Sequence, residues 1–94
     1  MNKNKVMVRR SLAGIIFIKV DSGKEKTILD KVCSINNIEK VYRTFGDYEI
    51  IAITKDIGLE DLRKTVEEIR RMEGVLSTTT MIIVEKYIRH KKKP

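Results

Sequence analysis

The sequence predicts an α+β fold: two helices on one face of a four-stranded antiparallel sheet, in the chain order βαββαβ of a ferredoxin-like sandwich. Three observations lead to this prediction. Two stretches in which both alternating sets of residues are apolar indicate central strands, and two stretches with apolar residues at helical spacing indicate helices that cover the sheet. The length of 94 residues fits one such domain and leaves no room for a second.

The predicted elements follow one another with short connections. In chain order they are a strand at residues 12–20, a helix carrying Ile28, Leu29, Val32 and Ile35, a hairpin of residues 38–45 and 48–55, a helix carrying Leu59, Leu62, Val66 and Ile69, and a strand from residue 75 to residue 84 or beyond. The first and third of these strands are the most apolar, as expected for the central strands of this topology.

Local signals mark the predicted ends of the helices. Ser22, with Glu25 three residues later, fits a capping box for the first helix. Asp56 is placed to cap the second helix. Gly74 fits the glycine that commonly follows a helix C-terminus, so the second helix is expected to end there.

Two helices can cover only one face of the predicted sheet. The first strand nevertheless carries Ile15 and Phe17 on one face and Ile16 and Ile18 on the other. An apolar face left open on so small a body is best covered by a second copy of the chain. The sequence therefore predicts a homodimer in which the open faces of two sheets pack together.

The net charge of +7 is concentrated at the chain ends. Residues 1–11 and 86–94 hold nine of the 20 basic residues and no acidic ones, which leaves 11 basic and 13 acidic residues between them, a net charge of −2. We therefore divide the chain into a basic tail at residues 1–11, one domain at residues 12–86 and a basic tail at residues 87–94. Solvated, partly disordered tails are one interpretation. A nucleic-acid-binding accessory protein that contacts phosphates through these tails is the alternative.

The composition indicates a cytoplasmic protein without a membrane span. The longest apolar stretch, around residues 12–18, is far shorter than the ~20 residues of a spanning helix. Charged residues follow this stretch without the small-residue cleavage site of a signal peptide. The single cysteine, Cys33, cannot form an internal disulfide, as expected in a reducing compartment, and its place on the first helix predicts a small buried thiol.

No residue pattern indicates an enzyme, a metal site or a cofactor. His90 is the only histidine and lies in the basic C-terminal tail, so Cys33 has no evident base to activate it. Asp21, Asp47 and Glu49 lack the spacing of a metal-binding loop, and the chain has no glycine-rich phosphate loop. We therefore expect neither catalytic residues nor metal ligands.

The most distinctive polar stretch is the sequence Gly-Asp-Tyr-Glu at residues 46–49. It lies between two apolar runs and fits a tight hairpin, with Gly46 at the first central position of a type II′ turn. Two carboxylates, a phenol and unused backbone N–H groups can together hold a small zwitterion, the carboxylates binding its ammonium group and the amides its carboxylate. These residues alone leave a purely structural turn and a ligand site equally open.

Together with a later threonine-rich strand, this turn resembles the effector-binding domain of the Lrp/AsnC transcriptional regulators, a module called RAM for regulation of amino-acid metabolism. The segments that carry the resemblance are VYRTFGDYEIIAITKD and, after a helix, MEGVLSTTTMIIVEKY. The positions that match the family pattern are Gly46, Tyr48, Gly74, Val75, Thr78, Thr80, Ile83 and Val84. Glu49 departs from it, since the family usually has Asp there. The longer side chain keeps the charge and is expected to alter ligand size or preference.

The resemblance covers about residues 12–85 and implies dimers with back-to-back sheets that assemble into tetramers, octamers or related rings. It also implies that an amino-acid effector binds at the interface between dimers, near the glycine turn. Carried over by position, the turn that grips the amino-acid backbone would be Gly46, Asp47, Tyr48 and Glu49, and a nearby strand would contribute hydroxyls or amides of Thr78 and Thr80.

Full-length members of this family carry an N-terminal helix-turn-helix, whereas only eleven residues precede the first predicted strand here. The chain therefore resembles the stand-alone form of the module, without sequence-specific DNA binding of its own. The implied role is a non-enzymatic, effector-binding oligomer. It would modulate transcription indirectly, by co-assembly with full-length Lrp/AsnC-type regulators.

Overall fold

The computed structural model describes residues 12–89 with their side chains and residues 5–8 by their backbone. Within these residues the chain forms six strands and two helices. In chain order they are β1 (Lys5–Val8), β2 (Ala13–Val20), α1 (Glu25–Cys33), β3 (Ile38–Arg43), β4 (Ile50–Thr54), α2 (Leu59–Arg70), β5 (Val75–Ile83) and β6 (Lys86–Arg89). The part from β2 to β5 has the predicted order βαββαβ.

Four of the strands form an antiparallel sheet in the order β3-β4-β2-β5. β2 and β4 are central, as their apolar sequences predict, and β3 and β5 are the edges. Both helices contribute buried side chains to the same hydrophobic core. The predicted ferredoxin-like α+β fold is therefore confirmed.

The strand register separates two faces of the sheet. Ile16 pairs with Ala52 and Ile18 pairs with Ile50, and all four side chains are buried beneath the helices. Side chains alternate along a strand, so Phe17 lies on the opposite face. We call the two faces the helix-covered face and the open face. The open face carries Ile15, Phe17, Ile51, Ile53 and Met81.

The hydrophobic core fills the space between the helix-covered face and the two helices. α1 contributes Ile28 and Val32, and α2 contributes Leu62 and Ile69; each is at most 3% exposed. Leu59, which the helical pattern also placed in this stripe, is 58% exposed at the first residue of α2. Neither helix in the described part of the chain has the length and apolar character needed to cross a membrane.

The close approach of α2 to β2 depends on a glycine and a buried threonine. A Cβ atom at Gly14 would lie 2.6 Å from a methyl carbon of Leu62, so a side chain there would displace the leucine. The Gly14 N–H donates to the Thr54 hydroxyl at 2.8 Å, and that hydroxyl donates to the carbonyl of Lys55 at 2.8 Å. Thr54 is only 1% exposed, so it satisfies a buried donor of the central strand.

The predicted capping box of the first helix is wrong. α1 begins at Glu25 with Lys24 as its N-cap residue, and no side chain caps it. Gly23, with a positive φ of 88°, turns the chain before the helix and leaves Ser22 outside the first turn. The Glu25 carboxylate accepts a hydrogen bond from the Gly23 N–H at 3.0 Å, so only this half of the predicted arrangement is present.

The predicted limits of the second helix are also wrong. α2 begins after its N-cap residue Gly58, which makes no side-chain capping hydrogen bond, and the carboxylate of Asp56 lies 4.0 Å from the Lys86 ammonium group. The helix ends at Arg70, four residues before Gly74. Gly74 has a positive φ of 102° and its carbonyl accepts the Asp21 N–H at 2.7 Å. It therefore directs the chain into β5.

Segments from both ends of the chain pair outside the main sheet. β1 and β6 form an antiparallel ribbon in which Lys5 lies opposite Arg89 and Val8 lies opposite Lys86. The sequence analysis placed basic tails here and predicted no strand, so a paired ribbon replaces the expected disorder in these two segments. The other tail residues, including His90, lie outside the described residues.

Cys33 is exposed, which corrects the prediction of a buried thiol. It is the last residue of α1, and the adjacent Val32 occupies the position that faces the core. Neighbouring positions of a helix point about 100° apart, so the cysteine side chain is turned to solvent.

Candidate functional site

The loop between β3 and β4 is wider than the tight hairpin turn predicted from the sequence. β3 ends at Arg43 and β4 begins at Ile50, so six residues connect them. The Thr44 N–H donates to the Glu49 carbonyl at 3.0 Å, and the Thr44 hydroxyl donates to the Tyr48 carbonyl at 2.7 Å. The type II′ turn is therefore wrong, although Gly46 does have a positive φ, of 131°. Contacts of Tyr48 and Glu49 with other strands hold the loop open.

Tyr48 fastens the loop to the open face of the sheet. Its ring centroid lies 5.5 Å from that of Phe17, and its hydroxyl lies 3.0 Å from the Thr79 hydroxyl. The Lys19 ammonium group lies 5.7 Å from the Tyr48 ring centroid and donates to the Asp47 carbonyl at 2.5 Å. The phenol thus joins β2, β5 and the loop, so the backbone on either side of it is held in place.

Glu49 fastens the other end of the loop to β2. One oxygen of its half-buried carboxylate accepts the Val20 N–H at 2.6 Å, and the Glu49 N–H donates to the Ile18 carbonyl at 3.1 Å. A carboxylate that accepts from a backbone amide makes a strong, charge-assisted hydrogen bond. Glu49, the site residue that departs from the family pattern, therefore has a structural partner, the Val20 N–H, within its own chain.

The tip of the loop presents unused hydrogen-bonding groups. The backbone N–H groups of residues 45–48 donate to no group within residues 12–89, and the Asp47 carboxylate has no hydrogen bond or ion pair there. Phe45, beside them, has no cover from its own chain, with a relative exposure of 107%. Adjacent free amides attract an anion and a free carboxylate attracts a cation. The loop therefore offers both halves of a zwitterion site.

The structure does not bring Thr78 and Thr80 to the loop of the same chain. They pair with Ile18 and Ile16, whose side chains lie on the helix-covered face. Thr79, which pairs with Phe17, contacts Tyr48 instead. Thr79 is not among the site residues predicted from the sequence, because the face of each threonine depends on the register with β2. Side chains alternate along a strand, so the pairing of Thr79 with Phe17 identifies Thr79 as a threonine of the open face.

Thr80 lies instead in a groove between α2 and the edge strand β5. The groove encloses about 240 Å³. Its lining combines apolar and charged side chains. The lining residues are Leu59, Leu62, Arg63, Val66, Glu67, Arg70, Thr80 and Ile82. We call this space the α2–β5 groove.

Charges along α2 are organised around Arg63. Its guanidinium is hydrogen-bonded to the Glu60 carboxylate and donates to Glu67 at 2.7 Å. The hydrogen bond and the charge of Arg63 lower the pKa of Glu60, and the same contacts raise the pKa of Arg63. Arg70, at the other end of the groove, has no hydrogen bond or ion pair within residues 12–89. It is therefore the basic group of the groove that a partner can use.

The comparisons with known proteins identify the family of the chain. Residues 13–92 match the family model described as the Lrp/AsnC ligand binding domain. The chain belongs to this family. The observed fold agrees, since the chain superimposes on the crystal structure of FFRP-DM1 with a TM-score of 0.73 and 27% sequence identity, over 78% of this chain and 99% of that one.

Named relatives of this domain are transcriptional regulators. The HTH-type transcriptional regulator LysM of Sulfurisphaera tokodaii is 37% identical over 57 residues, which are 61% of this chain and 41% of the regulator. The HTH-type transcriptional regulator FL11 of Pyrococcus furiosus is 31% identical over 75 residues, 80% of this chain and 50% of the regulator. The chain thus spans half the length of these relatives or less, and corresponds to a regulator-related, effector-binding domain.

An enzyme also occurs among the similar proteins. Homocitrate synthase of Saccharolobus islandicus is 30% identical over 76 residues, which are 80% of this chain but only 16% of the enzyme. The likeness therefore concerns a small part of that protein. The family and the named regulators point to a regulatory domain rather than to an enzyme.

Proposed function

We propose that the chain is a non-enzymatic sensor of an amino-acid effector, which binds at the loop of residues 45–48 and modulates transcription through the assembly of the domain. One observation carries the proposal: within residues 12–89, four backbone amides and the Asp47 carboxylate are unpaired on a loop that Tyr48 and Glu49 hold in place. Groups held in their binding geometry lose little conformational freedom when a ligand arrives.

The chemistry of the loop fits an α-amino acid. Its carboxylate accepts from the free amides beside Gly46, and its ammonium group pairs with Asp47. Lys19 adds a positive charge close to the amides, since its ammonium group contacts the Asp47 carbonyl at 2.5 Å. Glu49 supports the loop through its hydrogen bond with the Val20 N–H. The carboxylate that contacts the ligand is therefore that of Asp47 rather than that of Glu49.

The proposed sensor is a homodimer built through the open face. That face presents half-buried isoleucines and the 58% exposed Met81, and neither helix of the described residues covers it. An apolar face of this kind is the usual feature of a subunit interface. Dimers then assemble further, which brings the loop of one subunit near the threonine strand of another.

The effect on transcription is proposed to be indirect. The relatives with this domain are named as HTH-type transcriptional regulators. In this chain, both helices of the described residues pack on the sheet. We propose that the effector changes how the chain assembles with such regulators, because a ligand shifts an equilibrium toward the state that binds it better. A cytoplasmic location suits the exposed free thiol of Cys33.

Calorimetry of the purified oligomer with each of the twenty amino acids tests the proposal. We expect one or a few to bind, and Asp47→Asn to weaken binding about tenfold or more, because the amide keeps an acceptor but removes the negative charge that pairs with the ligand ammonium group. Asp61→Asn, an equal change of charge on exposed α2, should bind as the parent does. If no amino acid binds the assembled protein, the effector hypothesis is wrong.

A second function, nucleic-acid binding through the basic ends, gains support from the pairing of β1 with β6. The ribbon pairs the backbone of residues 5–8 with that of residues 86–89, so segments from both basic ends of the sequence lie side by side, where their charges can add in binding phosphates. Removal of residues 1–10 and 89–94 should abolish any DNA shift, and intact binding should weaken steeply with salt. Sequence-specific binding that survives the truncation would mean that the domain body itself contacts DNA.

A further inference from the structure

We infer that Lys19 and Ser77 form a second anion site beside the loop of residues 45–48, and that the effector is an amino acid with an acidic side chain. The loop binds the backbone groups of the effector, as proposed above, and the Lys19–Ser77 site binds its side-chain carboxylate. This inference rests on the proposed function, because it names the class of amino acid that the same site accepts.

Polar side chains are concentrated at one end of the open face. The successive pairs that β2 and β5 place on this face are Ile15 with Met81, Phe17 with Thr79, and Lys19 with Ser77. The pairs therefore change from apolar to polar toward the end of β2 that contacts the loop. A lysine buried against an apolar surface is costly unless its charge is paired. The last pair is thus suited to a polar ligand rather than to an apolar subunit surface.

The Lys19 side chain is held by one contact and keeps donors for another. Its ammonium group donates to the Asp47 carbonyl at 2.5 Å and lies 5.7 Å from the centroid of the Tyr48 ring. A lysine ammonium group has three N–H donors, so two remain after this contact. Within residues 12–89, Lys19 forms no ion pair. Its positive charge is therefore available to an anion.

Hydroxyl groups on the same face add donors beside Lys19. Ser77 lies directly opposite Lys19, and its hydroxyl makes no hydrogen bond within residues 12–89. Opposite residues of antiparallel strands have Cβ atoms about 4.5–5.5 Å apart, so the ammonium group and the hydroxyl can reach one anion. The Tyr48 and Thr79 hydroxyls lie 3.0 Å apart. Only one of them donates to the other, which leaves one more O–H donor for a carboxylate.

The carboxylates nearest to Lys19 in the chain have other roles. Glu49 accepts the Val20 N–H at 2.6 Å, and Asp21 accepts a backbone N–H of its own turn at 3.0 Å. Asp47 is the group proposed to bind the effector ammonium group, and it forms no ion pair with Lys19. The anion that balances Lys19 therefore comes from the ligand.

Together, the loop and the Lys19–Ser77 site match the three charged groups of an acidic amino acid. The amides of residues 45–48 bind the α-carboxylate and Asp47 binds the ammonium group, which accounts for the backbone of any amino acid. Lys19 contacts this loop directly, so a side chain of one or two methylene groups spans the distance to it. A side-chain amide gains no charge pairing there, and a basic side chain is repelled. Aspartate and glutamate are the expected effectors.

Calorimetry of the parent oligomer with glutamate, glutamine, aspartate and asparagine tests the inference. We expect one of the acids to bind about fivefold or more tightly than its amide, as is typical of an exposed charge pair supported by hydrogen bonds. The ratio of the two affinities should shrink at high salt, because salt screens exposed charges. Equal affinities for acid and amide, or tighter binding of the amide, would overturn the inference and leave the proposed function intact.

Lys19→Met tests the residue itself, because methionine keeps an apolar stem and removes the charge. The preference for the acid over its amide should disappear, whereas Lys19→Arg should keep it. A general loosening of the loop would weaken both ligands alike, so the ratio reports the charge. Lys64→Met, the same loss of charge on exposed α2, should keep the parent ratio. A preference that persists in Lys19→Met contradicts the inference.

Ser77→Ala provides an independent variant on the other strand of the site. It removes one hydroxyl from an exposed position, so its folding should not be affected. We expect it to lower the preference for the acid about twofold or more, because a hydrogen bond to a charged group is lost. An unchanged ratio in this variant would exclude Ser77 from the site and contradict the inference.

Glutarate, which has two carboxylates and no ammonium group, separates this inference from the proposed function. It should bind more weakly than glutamate, since it offers nothing to Asp47. If glutarate binds as tightly as glutamate, the role proposed for Asp47 is wrong, whereas loss of glutarate binding in Lys19→Met would still support the anion site. If neither glutarate nor any amino acid binds, both proposals are wrong.

Discussion

The two faces of the sheet have similar sequences but very different surroundings. Ile16 and Ile18 on the helix-covered face are fully buried, whereas Ile15 and Phe17, their neighbours in β2, remain partly exposed. Within residues 12–89, both helices therefore cover one face, and neither covers the equally apolar open face. Because hydrophobic burial drives association as well as folding, this difference marks the open face as a surface for another molecule.

The largest expected effect is on the helix-covered face. Ile16→Ala should lower the free energy of unfolding by about 2–5 kcal/mol, because it leaves a cavity in a fully packed core. Ile15→Ala, one residue away on the open face, should lower it by about half as much or less. Urea denaturation at low protein concentration measures both. Equal losses under these conditions would mean that the open face is covered within a single chain.

A smaller effect is expected at the buried hydroxyl of the helix-covered face. Thr54→Val leaves the Gly14 N–H without its acceptor and should lower the free energy of unfolding by about 1–3 kcal/mol. Thr79→Val removes the hydroxyl that contacts Tyr48 on the exposed side, where water can replace the lost partner. Thermal unfolding of the two valine variants should therefore rank Thr54→Val well below Thr79→Val in stability.

The loop that borders the open face should respond less still. Glu49→Gln keeps an acceptor for the Val20 N–H but removes its negative charge, so we expect a loss of about 1 kcal/mol in stability. Glu39→Gln, on exposed β3, serves as the control and should change stability by less than about 0.5 kcal/mol. If Glu49→Gln abolishes amino-acid binding without any loss of stability, Glu49 is a direct ligand contact rather than a support.

The strands and buried residues of the helix-covered face were predictable from the sequence. Apolar periodicity identified the central strands and the buried positions Ile28, Val32, Leu62 and Ile69, because core burial outweighs local preference. The helix ends were not predictable from capping motifs. Gly23 and Gly58 precede the two helices, and neither Ser22 nor Asp56 caps a helix N-terminus as predicted. The backbone conformation at these positions follows from tertiary packing.

The geometry of the candidate loop was only partly predictable from the sequence. The zwitterion site stays a prediction. Within residues 12–89 the Asp47 carboxylate and the amides of residues 45–48 are unpaired, as expected for a hairpin loop that cannot pair all its donors. The partner of Tyr48 could not be read from the sequence. It depends on the register of β5 with β2, which places Thr79 beside Phe17 and turns Thr80 toward the helices. Contacts between distant strands decide such details.

The smallest effect on the single chain, and the most informative for the comparison, is expected at Ile53. Ile53→Lys places a charge on the half-buried open face, where a monomer can extend the lysine into water. We expect a stability change of about 1 kcal/mol or less for the monomer, but dissociation of the proposed dimer, measured by analytical ultracentrifugation. The thermal stability of the parent should rise with protein concentration and that of the variant should not, because association stabilises only the folded chain.

Cys33→Lys provides the matched control for this experiment. It adds the same charge at an exposed position of the helical layer, near a helix C-terminus that tolerates a positive charge. The dimer should therefore persist in this variant. If Cys33→Lys dissociates the protein and Ile53→Lys does not, the subunits meet through the helices, and the apolar open face would have to be explained by a partner other than a second copy.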